Sequence, residues 1–387
     1  MQRLIDGGGL KVKEENNNQT YKMRNSNQVD KPLAVTIFAL VIFGLVMIFS
    51  AGIALSLNNY DRPYYFFYHQ LLYGVIPGLI LWVLAQNINY KFWKKNSFWM
   101  FIFVIILLVL VLFVGERYKG STRWLNVGPV NIQPTEIAKL VVVLYLGAWM
   151  SKRKDKIKSF SQGFIPFCFI LLILSLLIIV QPDVGTLGLI VAISVLMFFM
   201  AKGRISHLLL LFIVGILLFY VLIQIEPYRM ARLQAFRDPG VDPTGIGWQV
   251  QQAKIAIGSG GLWGNGLGHG RQKFLYLPEP IGDSIFAIIC EELGMIGGVF
   301  LIGLFYVIAW RGLRISKQAP DEFSKLVAGG ITVWFVLQAF MNIAAITSLI
   351  PLTGIPLPFV SYGSSALIIS LVGAGILLNI SKNKLNQ

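Results

Sequence analysis

Long apolar runs dominate the chain, separated by short polar breaks. They fall at roughly 32–55, 65–85, 98–114, 137–150, 164–180, 184–201, 207–225, 285–309, 326–350 and 363–380. A helix that crosses a bilayer needs about 20 apolar residues. The pattern therefore predicts an all-α polytopic membrane protein with ten transmembrane helices in one domain, 32–380. The fourth run is short and holds Lys139, but Pro134 suits a first helical turn and extends it toward the N-terminus. Only Gln181, Pro182 and Asp183 separate the fifth and sixth runs, which predicts a tight helical hairpin. The runs show no internal repeat, which argues against an inverted-repeat transporter.

Composition agrees. Hydrophobic residues make up 56% of the 387 and charged residues only 13%, against about 25% charged in a soluble domain. Cys168 and Cys290 both sit in apolar runs, so a disulfide scaffold is excluded. Three histidines (His69, His207, His269) lack the Cys/His spacing of a zinc site. The net charge of +15 suggests nucleic acid until it is mapped onto the spans. With ten spans, the segments on the side of the termini hold 22 Lys and Arg and the other side 10, nine of them in its two longest loops. The excess marks a cytoplasmic side carrying both termini. Residues 1–31 are polar and mixed in charge, which reads as a disordered cytoplasmic tail and not a signal peptide. Residues 381–387 form a short cytoplasmic C-terminus. The outer side holds two loops too long for mere connections, 115–136 and 225–284. Trp124, Trp248, Trp263 and Tyr276 in them point to ordered structure on the membrane surface.

Charges at or inside a membrane boundary are costly and mark function. Glu136 and Lys139 share one helix face and read either as an interhelical ion pair or, with Arg123, as a phosphate site. Asp183 reads equally as the cap of the sixth helix or as a catalytic acid. Asp283 stands between the long outer loop and the eighth span, where it is either an N-cap or a general base at lipid head-group level. Glu291 lies about 12 Å along that helix from Asp283, and Glu292 points to the opposite face, so at most one of them shares a cavity with Asp283. Residues 258–270 carry seven glycines in thirteen. No βαβ unit surrounds them, so a dinucleotide loop is rejected; flexibility or close approach to a ligand remains. Arg271 and Lys273 follow and offer cations for an anionic group. Three prolines between Pro351 and Ser365 forbid a regular helix. Ser361, Tyr362, Ser364 and Ser365 there have no neighbouring base and read as polar groups at a cavity mouth.

Taken together, Ser121 to Pro129, Gln133 to Lys139, Gln181 to Thr186, Ala256 to Gly261, Gly264 to Gly268, Asp283 to Gly294 and Pro351 to Ser365 resemble the SEDS family (shape, elongation, division and sporulation), whose members include FtsW and RodA. The order of motifs matches across 32–380. Gly264 to Glu279 and Gly354 to Pro358 look more like the division member than the elongation member. The resemblance implies a peptidoglycan glycosyltransferase in the bacterial cytoplasmic membrane that polymerises lipid II, with its essential acid at Asp283 and its functional tryptophan at Trp124. Two departures stand out: Ser284 where the family usually has Phe, and Tyr362-Gly-Ser-Ser-Ala366 where it usually has a second glycine, at Ser364.

The expected reaction joins a sugar 4-hydroxyl to an anomeric carbon with inversion, Asp283 being the base and undecaprenyl pyrophosphate the leaving group. Arg123, Lys139, Arg271 and Lys273 are the candidate cations for that group. A divalent cation, Mg or Mn, at the pyrophosphate is compatible with the chemistry, although no dedicated ligand cluster is visible. The expected site is a roofed cavity lined by Asp283, Arg123 and the 258–270 loop and open sideways to lipid. The resemblance also implies a class B penicillin-binding protein (a transpeptidase) as partner, docked where Gly294, Gly297 and Gly298 allow close approach on spans eight and nine. The rival readings are a lipid II flippase and a non-catalytic division scaffold.

Overall fold

The computed structural model describes residues 29–118, 121–128, 130–225, 227–241 and 245–383. The expected tail before Val29 and the last four residues lie outside them. Among the described residues the protein is a helical bundle with one small sheet. In chain order the helices are α1 (Lys31–Ala51), α2 (Ile53–Tyr60), α3 (Tyr65–Gln70), α4 (Ile76–Asn87), α5 (Tyr90–Val114), α6 (Pro134–Ser151), α7 (Ile165–Val180), α8 (Val184–Met200), α9 (Ile205–Ile225), α10 (Pro227–Arg237), α11 (Ile246–Ser259), α12 (Ile285–Lys317), α13 (Glu322–Ile346) and α14 (Ser364–Lys382). A π-helical turn at Leu71–Val75 joins α3 to α4. Three antiparallel strands, β1 (Glu116–Tyr118), β2 (Ser121–Val127) and β3 (Val130–Ile132), form the sheet between α5 and α6.

Among the described residues, eight helical segments are long and apolar enough to cross a membrane. In a bilayer every backbone polar group must be satisfied internally, and a continuous apolar helix does that. The fourth and sixth of the ten expected spans fall on α6 and α8, which are not among these eight. The former carries Glu136 and Lys139, and the latter has 17 residues. Both lie inside the bundle. Nearly every residue of α6 is buried, as befits a helix apolar all round. It packs against α5, α8, α13 and α14, and α13 in turn packs on α8 and α12. α9 stands off this core, touching α8 and α10, with its apolar side chains exposed.

Local signals begin the helices where expected. Asp30 caps α1 through the N–H of Leu33, Pro134 opens α6, and Asp321 and Ser324 form a reciprocal capping box on α13. The ends of the described chain meet: the Asp30 N–H donates to Ser381 Oγ at 3.0 Å, and Arg311 clasps the Asp30 carboxylate at 2.6 and 2.9 Å. The first and last helices thus have their termini at one end of the bundle. The sheet, α10, α11 and the 351–363 segment sit at the other.

The run expected as an uninterrupted eighth helix is broken. Gly294 has φ +67°, inside α12, a conformation that L side chains rarely adopt. The break frees carbonyls and N–H groups that the glycine-rich segment takes up. The N–H groups of Asn265 and Gly266 donate to the Glu291 and Glu292 carbonyls at 3.0 and 2.9 Å. In return, the N–H groups of Met295 and Ile296 donate to the Gly261 and Leu262 carbonyls at 2.9 and 3.3 Å. Two backbones can exchange bonds this way only without side chains between them. A Cβ on Gly264 would lie 2.2 Å from the Glu292 carbonyl oxygen. Gly260 and Gly264 therefore serve approach to a helix backbone, which is not the flexibility or ligand approach expected of them, whereas Gly258, Gly261 and Gly268 face open space. The three glycines on which a partner dock was expected are themselves occupied. Gly294 is filled by Leu262 and Gly264, and Gly297 and Gly298 are buried against Leu293, Cys290 and Phe286 of their own helix.

Candidate functional site

A cavity of about 270 Å³ opens at the end of the bundle that carries the sheet. Its wall is largely apolar, from α8, α9, α13 and Ile350–Leu352, with Arg123, Asp183, Arg232 and Thr353 as its polar members. β2 presents Arg123 to the cavity; Trp124, next along the strand, faces the opposite side of the sheet and is half-buried. Arg123 Nε donates to the Gln181 carbonyl at 2.9 Å, Nη2 to the Pro182 carbonyl, and Nη1 lies 3.7 Å from Asp183. Asp183 also accepts the Thr186 N–H at 3.3 Å and so caps α8. The cap reading of Asp183 holds, and Arg123 locks the hairpin it caps onto the sheet.

Arg232 comes from α10. Its Nη1 donates to the Leu352 carbonyl at 2.9 Å. A methyl group on Gly354 would lie 3.8 Å from Arg232 Nη2 and 3.9 Å from Asp283 Oδ2. The guanidinium of the cavity wall and the Asp283 carboxylate therefore flank one point, and Asp283 stands at the cavity's margin. The backbone under Asp283 is fixed: Asn342 Nδ2 donates to its carbonyl at 2.8 Å, and Ser361 Oγ to the Gly282 carbonyl at 2.7 Å. Gln249 Nε2, from α11, lies 3.4 Å from Asp283 Oδ1 and 3.0 Å from Ser284 Oγ. The N-cap residue of α12 is Ser284, with no side-chain cap bond. Ser284 thus holds the N-cap position of α12, and the Asp283 carboxylate reaches Gln249.

Residues 31–386 match the FtsW/RodA/SpoVE cell cycle protein family. The chain belongs to this family. It is 39% identical over 356 residues, 92% of this chain and 93% of the other, to the probable peptidoglycan glycosyltransferase FtsW of Trichlorobacter lovleyi. It is 41% identical over 355 residues, 91% of this chain and 97% of the other, to stage V sporulation protein E of Bacillus subtilis. A solved chain from a peptidoglycan synthase complex, described as coordinating polymerization and crosslinking, superposes with a TM-score of 0.76 at 25% identity, covering 93% of this chain and 99% of that one. The Thermus thermophilus rod shape determining protein RodA superposes with a TM-score of 0.69 at 25% identity, covering 94% and 100%.

The other expected site residues lie apart from the cavity. The Lys139 ammonium sits 2.8 Å from both carboxylate oxygens of Glu136 and 2.9 Å from Gln338 Oε1, under the ring of Trp334. Gln338 in turn donates to the Pro356 carbonyl at 2.8 Å. With 1% of its side chain exposed, Lys139 ties α6 and α13 to the 351–363 segment. Lys273 is equally enclosed: it meets Glu292 Oε1 at 2.7 Å, the Gly268 carbonyl at 2.7 Å and Ser50 Oγ at 3.0 Å. Glu291 accepts the Arg271 N–H at 2.6 Å and the Gln272 N–H at 3.1 Å, which leaves the Arg271 side chain on the surface. Glu291 and Glu292, expected on opposite faces, grip the same glycine segment, because the Gly294 break lets that segment lie across both. Ser364 opens α14, with its hydroxyl buried and no hydrogen-bond partner among the described residues.

Arg232, Gln249, Asn342 and Thr353 stand around the candidate site and are missed by the sequence reading. Thr353 Oγ1 is buried in the cavity wall with no hydrogen-bond partner among the described residues. A signal for Arg232 exists: Pro227 opens an 11-residue helix inside the long loop, and a helical arginine in an ordered loop marks an anion contact. Ser284, 0% exposed, occupies the position of the family's usual Phe, and the Gln249 amide closes over it.

Proposed function

We propose that this chain polymerises lipid II into glycan strands at the outer face of the bacterial cytoplasmic membrane, with both termini inside the cell. The observation that carries the reading is the approach of Asp283 and Arg232 to one point beside Gly354, next to a cavity that Arg123, Arg232 and Thr353 line. Asp283 takes the proton of a sugar 4-hydroxyl. The oxygen attacks the anomeric carbon of the second sugar, the bond from that carbon to the pyrophosphate oxygen breaks, and undecaprenyl pyrophosphate leaves. One base and one displacement invert the anomeric centre. A carboxylate base contributes roughly 10²–10⁴ in rate.

The leaving pyrophosphate gains charge at the cavity, where Arg232 and the Thr353 hydroxyl stand. Donors fixed in a water-poor wall stabilise such charge without reorganising. Arg123, engaged with Gln181, Pro182 and Asp183, holds the rim. Lys139, Lys273, Glu136 and Glu291 support the site from inside, and Arg271 is a surface contact for the head group. Trp124 packs the sheet that presents Arg123. Among the described residues no group of three or more His, Cys, Asp or Glu side chains could hold a metal ion. No step is routed through a protein-bound metal; Mg or Mn would arrive on the substrate's own pyrophosphate. The partner is a class B penicillin-binding protein, in keeping with the synthase complex that the chain resembles. FtsW and the sporulation protein among the relatives favour a role in division over elongation.

The flippase reading needs a polar path through the bilayer. The deep acids Glu136, Glu291 and Glu292 are instead bonded to their own chain, which favours the enzyme. Purified protein in vesicles, given radiolabelled lipid II, should yield glycan strands. Translocation without polymer would overturn the proposal.

A further inference from the structure

A second concavity, of about 540 Å³, is built around the start of α3 by Arg62, Tyr64, Tyr65, Tyr68, His69 and Tyr73 with neighbouring apolar residues. Its chemistry contrasts with the first cavity. It gathers four phenols and an imidazole around one guanidinium, and Asp61 precedes that arginine. Aromatic residues collect at membrane interfaces in any case, but a belt of lipid anchors does not explain this arrangement. The rings here brace one another. Tyr60 and Tyr65 stack at 3.7 Å, Phe49 and Tyr64 at 4.7 Å, and His69 meets Tyr73 at 4.9 Å. The wall is thus preorganised, while Tyr64 is 37% and Tyr68 56% exposed.

Its position is the second observation. The Tyr362 hydroxyl lies 3.0 Å from His69 Nδ1, and its ring meets Phe66 edge-on at 5.1 Å. Burial pushes the Tyr362 phenol well above its ordinary value, so it stays a neutral hydroxyl. The same residue's N–H donates to the Ile281 carbonyl at 2.8 Å, and Ser361 donates to the Gly282 carbonyl. Residues 361 and 362 therefore join the aromatic pocket to the turn that carries Asp283. The Asp283 carboxylate itself approaches Gly354 and Arg232. The turn of Asp283 is thus tied both to a residue of the cavity that holds two guanidiniums and to the wall of the one rich in phenols.

We infer that the aromatic pocket is a carbohydrate subsite that takes the sugar rings of the attacking substrate. Hexose rings present C–H faces to exposed phenol rings and hydroxyls to the phenols, the imidazole and the guanidinium, and a pocket with apolar walls and a few convergent polar groups suits such a ligand. The inference rests on the proposed polymerase reading and gives it a second subsite, apart from the diphosphate.

The test uses the full chain in detergent and the tetramer of β-1,4-linked N-acetylglucosamine, which has neither lipid nor phosphate. Saturation-transfer NMR should detect contact with the sugar ring protons. Tyr68→Ala should weaken it by about tenfold, the loss of one ring face, while Tyr68→Phe should retain it. Melting curves verify that both variants fold. Undiminished contact in Tyr68→Ala, or displacement of the tetramer by farnesyl pyrophosphate, overturns the subsite, the latter marking a lipid-phosphate pocket. The measurement needs no turnover. A chain that binds the tetramer at Tyr68 but makes no glycan from lipid II sinks the polymerase reading alone. A chain that makes glycan but binds no tetramer sinks the subsite alone.

Discussion

Replacing Asp283 by Asn separates chemistry from architecture. If Asp283 removes the hydroxyl proton, the amide loses the general-base term, roughly 10²–10⁴ in rate, or ~3–5.5 kcal/mol of barrier at about 1.36 kcal/mol per decade. The stability side follows from the geometry. A side-chain N-cap is worth ~0.5–2 kcal/mol; the N-cap position of α12 is Ser284, and an Asn at 283 keeps the size and one acceptor oxygen of the acid in any case. The bond that anchors this turn to α13 goes from Asn342 to the Asp283 backbone carbonyl and survives any side-chain change. The Gln249 contact at 3.4 Å is long and persists with an amide oxygen. Asp283→Asn should therefore cost no more than ~1.5–3 kcal/mol, the range of one hydrogen bond to a charged group, and Asp283→Ala more, because it removes both oxygens beside Arg232. The assay is glycan synthesis from radiolabelled lipid II by purified variants, beside a thermal melt of each. Full activity in the Asn variant would refute the base assignment. Loss of activity together with the folding transition would refute the reasoning equally, since it would make Asp283 a structural residue.

Arg232→Lys should lower kcat by roughly 10²–10³, the effect of removing one fixed donor from a developing charge, because a lysine cannot serve Leu352 and the Gly354 side together; unchanged kcat under saturating lipid II would contradict it. Gly264→Ala places a methyl 2.2 Å from the Glu292 carbonyl at φ +81° and should destabilise by ~2–4 kcal/mol from left-handed strain and overpacking combined. Gly258→Ala, in α11 with open space around it, should be neutral or gain up to ~1 kcal/mol; equal melting temperatures for the two variants would dismiss the backbone-exchange account. Glu292→Gln leaves the Lys273 ammonium buried without its anion and should cost ~3–5 kcal/mol, whereas Glu292→Gln with Lys273→Met should recover part of that loss in the same melt.

The helices are legible in the chain because a bilayer permits few alternatives: a run of about 20 apolar residues must satisfy its own backbone. The boundaries of α1, α6 and α8 follow from Asp30, Pro134 and Asp183, local signals that act within one turn. The family motifs, too, single out Asp283 and Arg123 as linear patterns. Other features depend on residues distant in sequence meeting in space. The run 285–309 is apolar throughout, and its break at Gly294 exists because residues 261–266 return to take up the bonds it releases. Lys139 and Lys273 read as substrate cations by charge alone, yet each has a carboxylate within 2.8 Å and almost no exposed surface. Arg232 is one cation among six in a long loop until α10 brings it to Leu352 and beside Gly354. The sequence by itself determined the family, the membrane class and the apolar helices, because these rest on hydropathy and local motifs. Which cations face the cavity, and that Ser284 holds the N-cap position of α12 beside Asp283, only the tertiary structure decided, because a charged side chain's role depends on the partner that reaches it first.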